Sequence, residues 1–330
     1  MDDSNESYLF VRKGHVLKIF SQSLCVADKS VQLVEYNGLS DLHASLKRIK
    51  RRARVMFYIP EWFLLPLVII FYSRHSFFYF LHEPVITLAR SSSMRFFFFY
   101  KMWLSCLRRF VSLIFLSAYG ANLGRTESRD KIIVPLLFDP SIAFENMVLQ
   151  EEKKVDVIMW GSLNKEKGLD RFLEIAAANE SISFGILARR TDQIELERQA
   201  NISISNVHWD LRDQYIPDHD IFRFVQSGRI AFLCQRESTQ SAQLPLALAL
   251  AVPVVASDCG SFPEYIGNGI YSICVPNNLA GDELVDCLTE HIAKILENYP
   301  KASQEANKMF DDKFKARNEI FKNWSLRIGS

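Results

Sequence analysis

The sequence has few of the features that mark small cross-linked proteins. Its 330 residues include six cysteines, which form no Cys-x-x-Cys pair and no regular framework. This pattern argues against a disulfide scaffold or a zinc ribbon and predicts a reducing compartment. The 13 glycines and 11 prolines are scattered, and 48% of the residues are hydrophobic, so a disordered or collagen-like chain is excluded. The length predicts two domains.

The sequence also predicts neither a secretory leader nor a membrane span. The first ten residues are acidic and polar, so we expect no signal peptide and a cytoplasmic protein. Residues 62–80 and 95–118 are apolar enough to resemble spans, but Arg74, Lys101 and the Arg108–Arg109 pair interrupt them. We interpret them as helix–strand pairs, with helices at 61–72 and 94–108 and strands at 76–81 and 111–117. The four phenylalanines at 96–99 fit either a core or a membrane surface.

Charge is divided unevenly along the chain. Residues 1–150 carry 19 Lys and Arg against 12 Asp and Glu, a net +7, whereas residues 151–330 carry 20 against 26, a net −6. Two interpretations of the basic excess stay open: a surface that meets anionic lipid or a phosphorylated acceptor, or a solvated helix edge. No nucleic-acid-binding motif accompanies it, so nucleic acid is not an expected partner. The densest basic cluster consists of Lys47, Arg48, Lys50, Arg51, Arg52 and Arg54.

Short apolar runs alternate with helical stretches in the second half, which is the pattern of a parallel, doubly wound α/β sheet. The predicted strands there cover residues 155–160, 182–187, 202–208, 229–234, 253–257 and 271–275. The predicted helices cover 169–179, 192–200, 218–227, 241–251 and 281–298. The first half shows the same pattern less clearly, with strands at 54–59, 76–81, 111–117 and 131–135. We therefore divide the chain into a domain at 1–143, a linker at 144–154, a domain at 155–300 and a last helix at 301–330.

Loops after the strands of such a sheet are where ligands bind. In the first of them, Gly161 allows close backbone approach, and the helix start at residues 167–169 is expected to offer unbonded N–H groups. Lys167 or Lys165 can add a full positive charge beside Ser162 and Gly168. The loop suits a phosphate, although a plain surface turn has the same appearance.

Two further loops have the same character. Thr239, Gln240 and Ser241 follow the strand that ends near Cys234, and they either bind a phosphate or simply cap the next helix. Residues 258–264, which end on Glu264, repeat the order of strand, glycine turn and helix start. Three anion-binding loops at one sheet edge favour a nucleoside diphosphate.

Charged residues elsewhere are less specific. Arg189 and Arg190 follow a strand and either reach the diphosphate or are solvated. Asp218, His219 and Asp220 imitate an Asp-x-Asp metal motif, but they begin a helix and are interpreted as a cap, so no metal ligand is assigned.

These residues resemble the retaining GT-B glycosyltransferases of glycosyltransferase family 4. The turn with Gly161, Leu163, Lys167 and Gly168 looks like the first donor loop of that family. The run PVVASD at 253–258, followed by Gly260, Pro263 and Glu264, looks like its P-V-V-A-S-D-x-G-x-x-P-E motif, and RESTQSAQLP at 236–245 looks like a branch with T-Q-S-G. His82-Glu83-Pro84 is similar to the family's H-E-P strand end, and Trp324 lies in the expected last helix. The resemblance covers about residues 54–330.

The resemblance implies two Rossmann-like domains facing each other across a cleft. The activity it implies is sugar transfer from a nucleotide-sugar to a glycan or polyprenyl-linked acceptor, as in bacterial surface polysaccharide synthesis. It assigns donor binding to the second domain through the loop residues above and Arg189, and it places His82, as the catalytic candidate, near the sugar and acceptor. His82 as a buried or turn residue is the alternative. No metal or other cofactor is implied, and the basic first domain is expected to contact the inner face of the membrane.

The chain also departs from the family pattern. Ser162 stands where the family has an arginine, Ala242 stands in place of the glycine of T-Q-S-G, and the glutamate pair eight residues apart is replaced near Ser238 and Leu246. A non-catalytic nucleotide-sugar-binding protein therefore remains an alternative. A nucleotide-sugar epimerase would need more cleft carboxylates, and a dehydrogenase would need a glycine fingerprint that is missing.

Overall fold

The computed structural model describes residues 6–12, 18–49, 52–57, 68, 71, 75–81, 106, 111–123, 132–144, 153–238, 240–267 and 269–327. The chain divides into two compact units. Unit 1 consists of Met1–Glu145 with Phe314–Ser330, and unit 2 consists of Asn146–Lys313.

Unit 1 contains a parallel six-stranded sheet. Its strands lie in the order β2-β1-β3-β4-β5-β6. All of them are parallel, and the order in which the chain adds strands changes from one side to the other between β1 and β3, as in flavodoxin-like sheets. Every second residue of β1 faces the same side, so Tyr8 and Phe10 enter one core while Leu9 and Val11 enter the other. Burial on both faces explains why β3 and β4 are almost entirely apolar. The strands are β1 (Ser7–Arg12), β2 (Val31–Tyr36), β3 (Arg54–Phe57), β4 (Ser76–Leu81), β5 (Val111–Phe115) and β6 (Ile132–Ile133).

The helices described in unit 1 are short. They are α1 (Lys18–Ala27), α2 (Leu39–Arg48), α3 (Ala118–Leu123) and α4 (Pro140–Ala143). Helix α4 begins after Asp139, whose carboxylate accepts the N–H of Ser141, and Pro140 takes the first helical position, where its missing N–H costs nothing.

Unit 2 contains a second parallel six-stranded sheet, in the order β12-β11-β10-β7-β8-β9. Read from the other edge, this is the dinucleotide-fold order 3-2-1-4-5-6, with the change of direction between β7 and β10. The strands are β7 (Val155–Gly161), β8 (Phe184–Arg189), β9 (Val207–Arg212), β10 (Gly228–Leu233), β11 (Val254–Ser257) and β12 (Ile273–Val275).

Helices cover the sheet of unit 2. They are α5 (Leu169–Ala178), α6 (Asp192–Ala200), α7 (Asp218–Ser227), α8 (Gln243–Ala249), α9 (Phe262–Ile266) and α10 (Gly281–Glu297). Helices α5 and α10 bury their apolar stripes in one core, where the ring of Phe172 lies edge-on to Phe184 and Phe232 at 5.3 and 5.4 Å.

The last helix, α11 (Tyr299–Arg327), contributes residues to both units. Ala302, Ala306 and Phe310 are buried in its first part, which belongs to unit 2. Phe321 and Trp324 belong to the core of unit 1, and the Trp324 ring lies edge-on to Phe78 at 5.1 Å.

The α/β fold with two doubly wound sheets is confirmed. Strands β1 and β2 were missed, and the strand expected at 202–208 is found at Val207–Arg212, because Ile202 is exposed in the turn after α6. Most of the helices expected at 61–72 and 94–108, with the four phenylalanines, lies outside the described residues. So does the linker from residue 145 to 152.

The basic cluster of the first half is not uniform. Lys47, Arg48 and Arg52 are exposed, but Arg54 is buried in β3, where burial lowers the pKa of its guanidinium. Arg54 therefore does not belong to a basic surface. Within the described part of the chain, no helix combines the length and the apolar character needed to cross a membrane.

Candidate functional site

The sheet order of unit 2 itself points to a binding site. Strands β7 and β10 lie side by side, with Ile158 opposite Ala231, and the chain winds away from them in opposite directions. In doubly wound sheets ligands bind at this switch point, outside the carboxyl ends of the strands. The loops that follow β7 and β10 are two of the three predicted as anion sites.

Two glycines bring these loops together. Gly168 has φ of +81°, and a Cβ there would lie 2.2 Å from the carbonyl oxygen of Cys234, which follows β10. Gly161 has φ of +100°, and a Cβ there would lie 3.2 Å from Nε2 of Gln243. Both positions require glycine for the backbone conformation, and Gly168 requires it also for the close approach of the two loops.

One expectation for the first loop is wrong. The N–H groups of residues 167–169 are already bonded within the turn: Lys167 donates to Oδ1 of Asn164 at 2.9 Å, Gly168 to the Lys165 carbonyl at 3.1 Å, and Leu169 to the Asn164 carbonyl at 3.2 Å. Asn164 thus closes the turn that leads into α5, whose cap position is taken by Gly168. The expectation failed because asparagine supplies acceptors that a glycine-lysine pattern does not reveal.

A chain of side-chain hydrogen bonds links the two loops. Nζ of Lys167 donates to Oε1 of Gln235 at 3.0 Å, and Nε2 of Gln235 donates to Oε1 of Gln243 at 3.0 Å. Nε2 of Gln243 in turn donates to the carbonyl oxygen of Trp160, and Oγ of Ser241 donates to Oε1 of Gln243 at 3.1 Å. The amide of Gln243 therefore joins the end of β7 to the loop that follows β10.

The loop after β11 joins the same cluster. The carbonyl oxygen of Gln235 accepts hydrogen bonds from Oγ of Ser257 and, at 3.4 Å, from Sγ of Cys259. Burial raises the pKa of the Cys259 thiol, and the hydroxyl of Ser257 and the charge of Lys167 counteract part of this rise. Cys259 is therefore held as a neutral thiol at neutral pH.

A buried guanidinium fixes the loops after β10 and β12. Arg171, 4% exposed, donates to the carbonyl of Cys234 at 3.4 Å and to Oδ1 and the carbonyl of Asn277, both at 2.9 Å. Asn277 then donates to the carbonyl of Arg236 at 2.8 Å. Burial, followed by the neighbouring charge of Arg236, lowers the pKa of Arg171.

The structure brings four of the predicted donor-site residues into this cluster. Gly161 and Ser241 contact Gln243, Lys167 contacts Gln235, and Gly168 lies against Cys234. Ser162 is exposed at the start of the same loop.

Three more of the predicted donor residues, Arg189, Gln240 and Glu264, lie at the same sheet edge. Arg189 ends β8 one residue beyond the pairing of Ala188 with Gly161. Glu264 lies in the first turn of α9 after β11. Gln240 is half-buried, and in the described part of the chain its Oε1 has no hydrogen-bond partner. His82 and Thr239 lie outside the described residues.

Two other charged motifs lie near the starts of helices α6 and α7. Arg190 forms ion pairs with Glu195 at 3.0 Å and Asp213 at 2.8 Å, so it is engaged on the surface. Asp218 is the first residue of α7 and Pro217 takes the cap position without a side-chain hydrogen bond, so the interpretation of this motif as the cap is wrong. Among the described residues, no three His, Cys, Asp or Glu side chains are grouped so that they could hold a metal ion.

Sequence reasoning missed Asn164, Arg171, Gln235, Gln243 and Asn277. One signal was present: Gln235 and Gln243 are eight residues apart, which is also the separation of the glutamate pair in glycosyltransferase family 4. The contacts of Arg171 with Asn277, 106 residues away, left no signal in the sequence.

Comparisons with known proteins agree with this geometry. Residues 154–298 match the family described as "Glycosyl transferases group 1". The whole chain is similar to HepE from Anabaena in complex with UDP, with a TM-score of 0.68 and 12% identity over 98% of this chain and 99% of that chain. Residues 154–298 thus match a glycosyltransferase family, and the chain as a whole has the GT-B fold.

Two further solved structures are similar to this chain. Sucrose-phosphate synthase from Thermosynechococcus elongatus has a TM-score of 0.63 at 12% identity, over 98% of this chain and 99% of that one. The E. coli structure described as "Trehalose-6-phosphate from E. coli bound with UDP-2-fluoro glucose" has a TM-score of 0.68 at 12% identity, with the same coverage. No curated protein matches the chain by sequence. The resemblance to GT-B glycosyltransferases and the prediction of an enzyme are confirmed.

Proposed function

We propose that the protein is a glycosyltransferase that takes its sugar from a nucleoside diphosphate sugar bound by unit 2 and transfers it to a glycan or lipid-linked acceptor bound by unit 1. One observation carries the donor half of the proposal: three strand-end loops meet around Lys167 at the switch point of the sheet. The presence of UDP in HepE and of UDP-2-fluoro glucose in the E. coli structure supports a uridine nucleotide.

The chemistry places a demand on this site. As an acceptor hydroxyl oxygen bonds to the anomeric carbon and loses its proton, the bond from that carbon to the diphosphate breaks, and negative charge develops on the leaving group. We assign stabilisation of this charge to Lys167 and to the hydroxyl groups of Thr239 and Ser241, with Gly161 allowing the loop to approach the ligand. Arg189, one residue beyond the Gly161 register, adds a second cation.

Two polar atoms of the loop after β10 support an occupant there. Within the described residues, Oγ of Ser238 and Oε1 of Gln240 are buried and have no hydrogen-bond partner. Buried polar atoms normally find partners, so these two fit a loop that completes its hydrogen bonds on a ligand. We place Ser162, Gly168 and Glu264 in the same donor site.

The acceptor half rests on the first half of the sequence. Its net charge of +7 favours a phosphorylated acceptor such as a polyprenyl-diphosphate-linked sugar at the inner face of a bacterial membrane. The proposal has three further parts. Transfer retains the anomeric configuration, His82 acts next to the sugar and acceptor, and the developing charge is stabilised without a metal.

Lys167→Ala tests the donor site directly. Loss of a charged hydrogen-bond donor to a diphosphate is worth about 1.5–3 kcal/mol, so we expect the Kd of UDP, measured by calorimetry, to rise about 10- to 100-fold. Lys301→Ala, which removes an exposed lysine of α11, is the matched control and should leave the Kd unchanged. If UDP, GDP and ADP all fail to bind the native protein, the donor proposal is wrong.

Turnover separates this proposal from its alternatives. Incubation of UDP-sugars with polyprenyl-diphosphate-linked acceptors, with and without EDTA, should give glycosylated product in both cases. Binding without transfer to any acceptor indicates a non-catalytic donor-binding protein, and an epimerised nucleotide-sugar indicates the epimerase. A product of inverted configuration contradicts the retaining mechanism.

A further inference from the structure

The hydrogen bonds between Lys167 and Trp160 run in one direction. An ammonium group only donates and a backbone carbonyl only accepts, so both ends of the chain are fixed by chemistry. The two amides between them must each turn their oxygen toward Lys167 and their nitrogen toward Trp160. A flip of either amide would place two donors or two acceptors face to face.

The surroundings hold both amides in this orientation. Gln235 is 1% exposed, and its backbone carbonyl is bonded to the side chains of Ser257 and Cys259. Oε1 of Gln243 accepts a hydrogen bond from the hydroxyl of Ser241. The Gln243 side chain also lies so close to Gly161 that a larger residue at position 161 would displace it. Hydrogen bonds aligned head to tail polarise and strengthen one another.

We propose that Gln235 and Gln243 are positioning residues, which form a directional amide relay that fixes the Lys167 ammonium and the Gly161 turn in a single arrangement for the donor diphosphate. The ligand in this statement rests on the proposed function, and the relay rests on the contacts alone. Both residues act through Lys167 and the turn, which are the groups assigned to the ligand.

A double-mutant cycle tests the coupling. Gln235→Met keeps the buried volume but removes both amide bonds of the relay, and we expect it to raise the Kd of UDP about tenfold in the native background. In the Lys167→Ala background the same change should raise the Kd less than twofold, because the ammonium that Gln235 contacts is gone while Gln243 still donates to the Trp160 carbonyl beside the Gly161 turn. Equal factors in the two backgrounds overturn the relay. Gln304→Leu, an exposed change on α11, is the control, and thermal unfolding checks that each variant is folded.

Gln243→Glu gives a readout that a purely structural role would not change. An ionised carboxylate cannot donate to the Trp160 carbonyl, whereas a carboxylic acid can. Relative to the native protein at each pH, this variant should bind UDP more than tenfold more weakly at pH 8 and recover most of that loss toward pH 5. A ratio that does not vary with pH contradicts the relay.

Labelling of Lys167 separates failure of this inference from failure of the proposed function. Acetic anhydride should modify Lys167 more slowly than the exposed Lys165 of the same chymotryptic peptide, and Gln243→Leu should raise the Lys167 to Lys165 ratio at least threefold. If native protein binds no UDP but the ratio rises, the donor proposal fails and the relay stands. If UDP binds and the ratio stays constant, the relay fails alone.

Discussion

Both units bury an arginine, but they use it differently. In unit 2 the guanidinium of Arg171 bonds to backbone and side-chain oxygens of Cys234 and Asn277, so it fixes two loops at the edge where ligands bind. In unit 1 the guanidinium of Arg317, fully buried, donates to Oγ of Ser23 at 2.7 Å and lies 4.8 Å from the Phe314 ring and 5.9 Å from the Phe20 ring. The first arginine holds loops, and the second joins a helix to aromatic packing. Stability and ligand affinity should therefore separate between the units.

Arg171→Leu should have the largest effect. It leaves the buried carbonyl of Cys234 and two oxygens of the half-buried Asn277 without the donor that they share, and an acceptor left unsatisfied costs about 1–3 kcal/mol where it is buried. We expect the free energy of unfolding of unit 2, measured by calorimetry, to fall by about 3 kcal/mol. The Kd of UDP should rise about fivefold, because the loop that carries Gln235 loosens.

Arg223→Leu is the matched control for this variant. Arg223 is exposed on α7, and its replacement should change neither quantity by more than the error of measurement. If Arg171→Leu lowers stability but leaves UDP binding intact, the buried arginine serves packing in both units, and the contrast between them disappears.

Arg317→Leu should have a smaller effect, confined to stability. Leucine retains part of the contact with the rings, so the loss is the hydrogen bond to Ser23 and the cation–π attraction, together about 1–2 kcal/mol. The Kd of UDP should stay within twofold of native. Lys315→Leu, an exposed change on the same helix, serves as the reference. A change in UDP affinity larger than that caused by Arg171→Leu would reverse the assignment of the two arginines.

The same contrast explains what the sequence could predict. The strands of unit 2 are apolar runs bounded by turns, so their number and type were predictable, and the loops at their ends followed from the parallel order. Strand β2 is an edge strand that Gln32 and Glu35 interrupt with exposed polar side chains, and β1 is a short apolar run in a polar stretch, so neither was recognised.

Site residues divide in a similar way. Gly161, Lys167, Gly168 and Ser241 were predictable because glycine conformations and charges at strand ends have a local physical meaning. The relay was not, because its bonds join residues 68 and 83 positions apart, and only packing determines which polar side chains meet.

Lys153 provides the smallest test, at the opposite end of the unit 2 sheet. Nζ of Lys153 donates to the Gln226 carbonyl at 2.7 Å and lies 5.8 Å from the Tyr299 ring, and burial lowers its pKa from 10.5 to about 8. The unfolded chain therefore holds a proton between pH 8 and 10.5 that the folded chain has released. The cost of burying the charge is fully present below pH 8 and diminishes as the pH rises.

Stability measured against pH checks this cation. Relative to Lys153→Met, the native protein should gain stability between pH 8 and 10, with a slope below the limit of about 1.4 kcal/mol per pH unit for one proton. Lys154→Met, a change at the exposed neighbouring residue, should run parallel to the native protein over the same range. Because Lys153 lies before β7 and the proposed donor loops follow the strands, UDP affinity should be the same for both variants. A weaker affinity in Lys153→Met alone would mean that burial of a cation anywhere in unit 2 affects the donor site, and the separate role given to Arg171 would be lost.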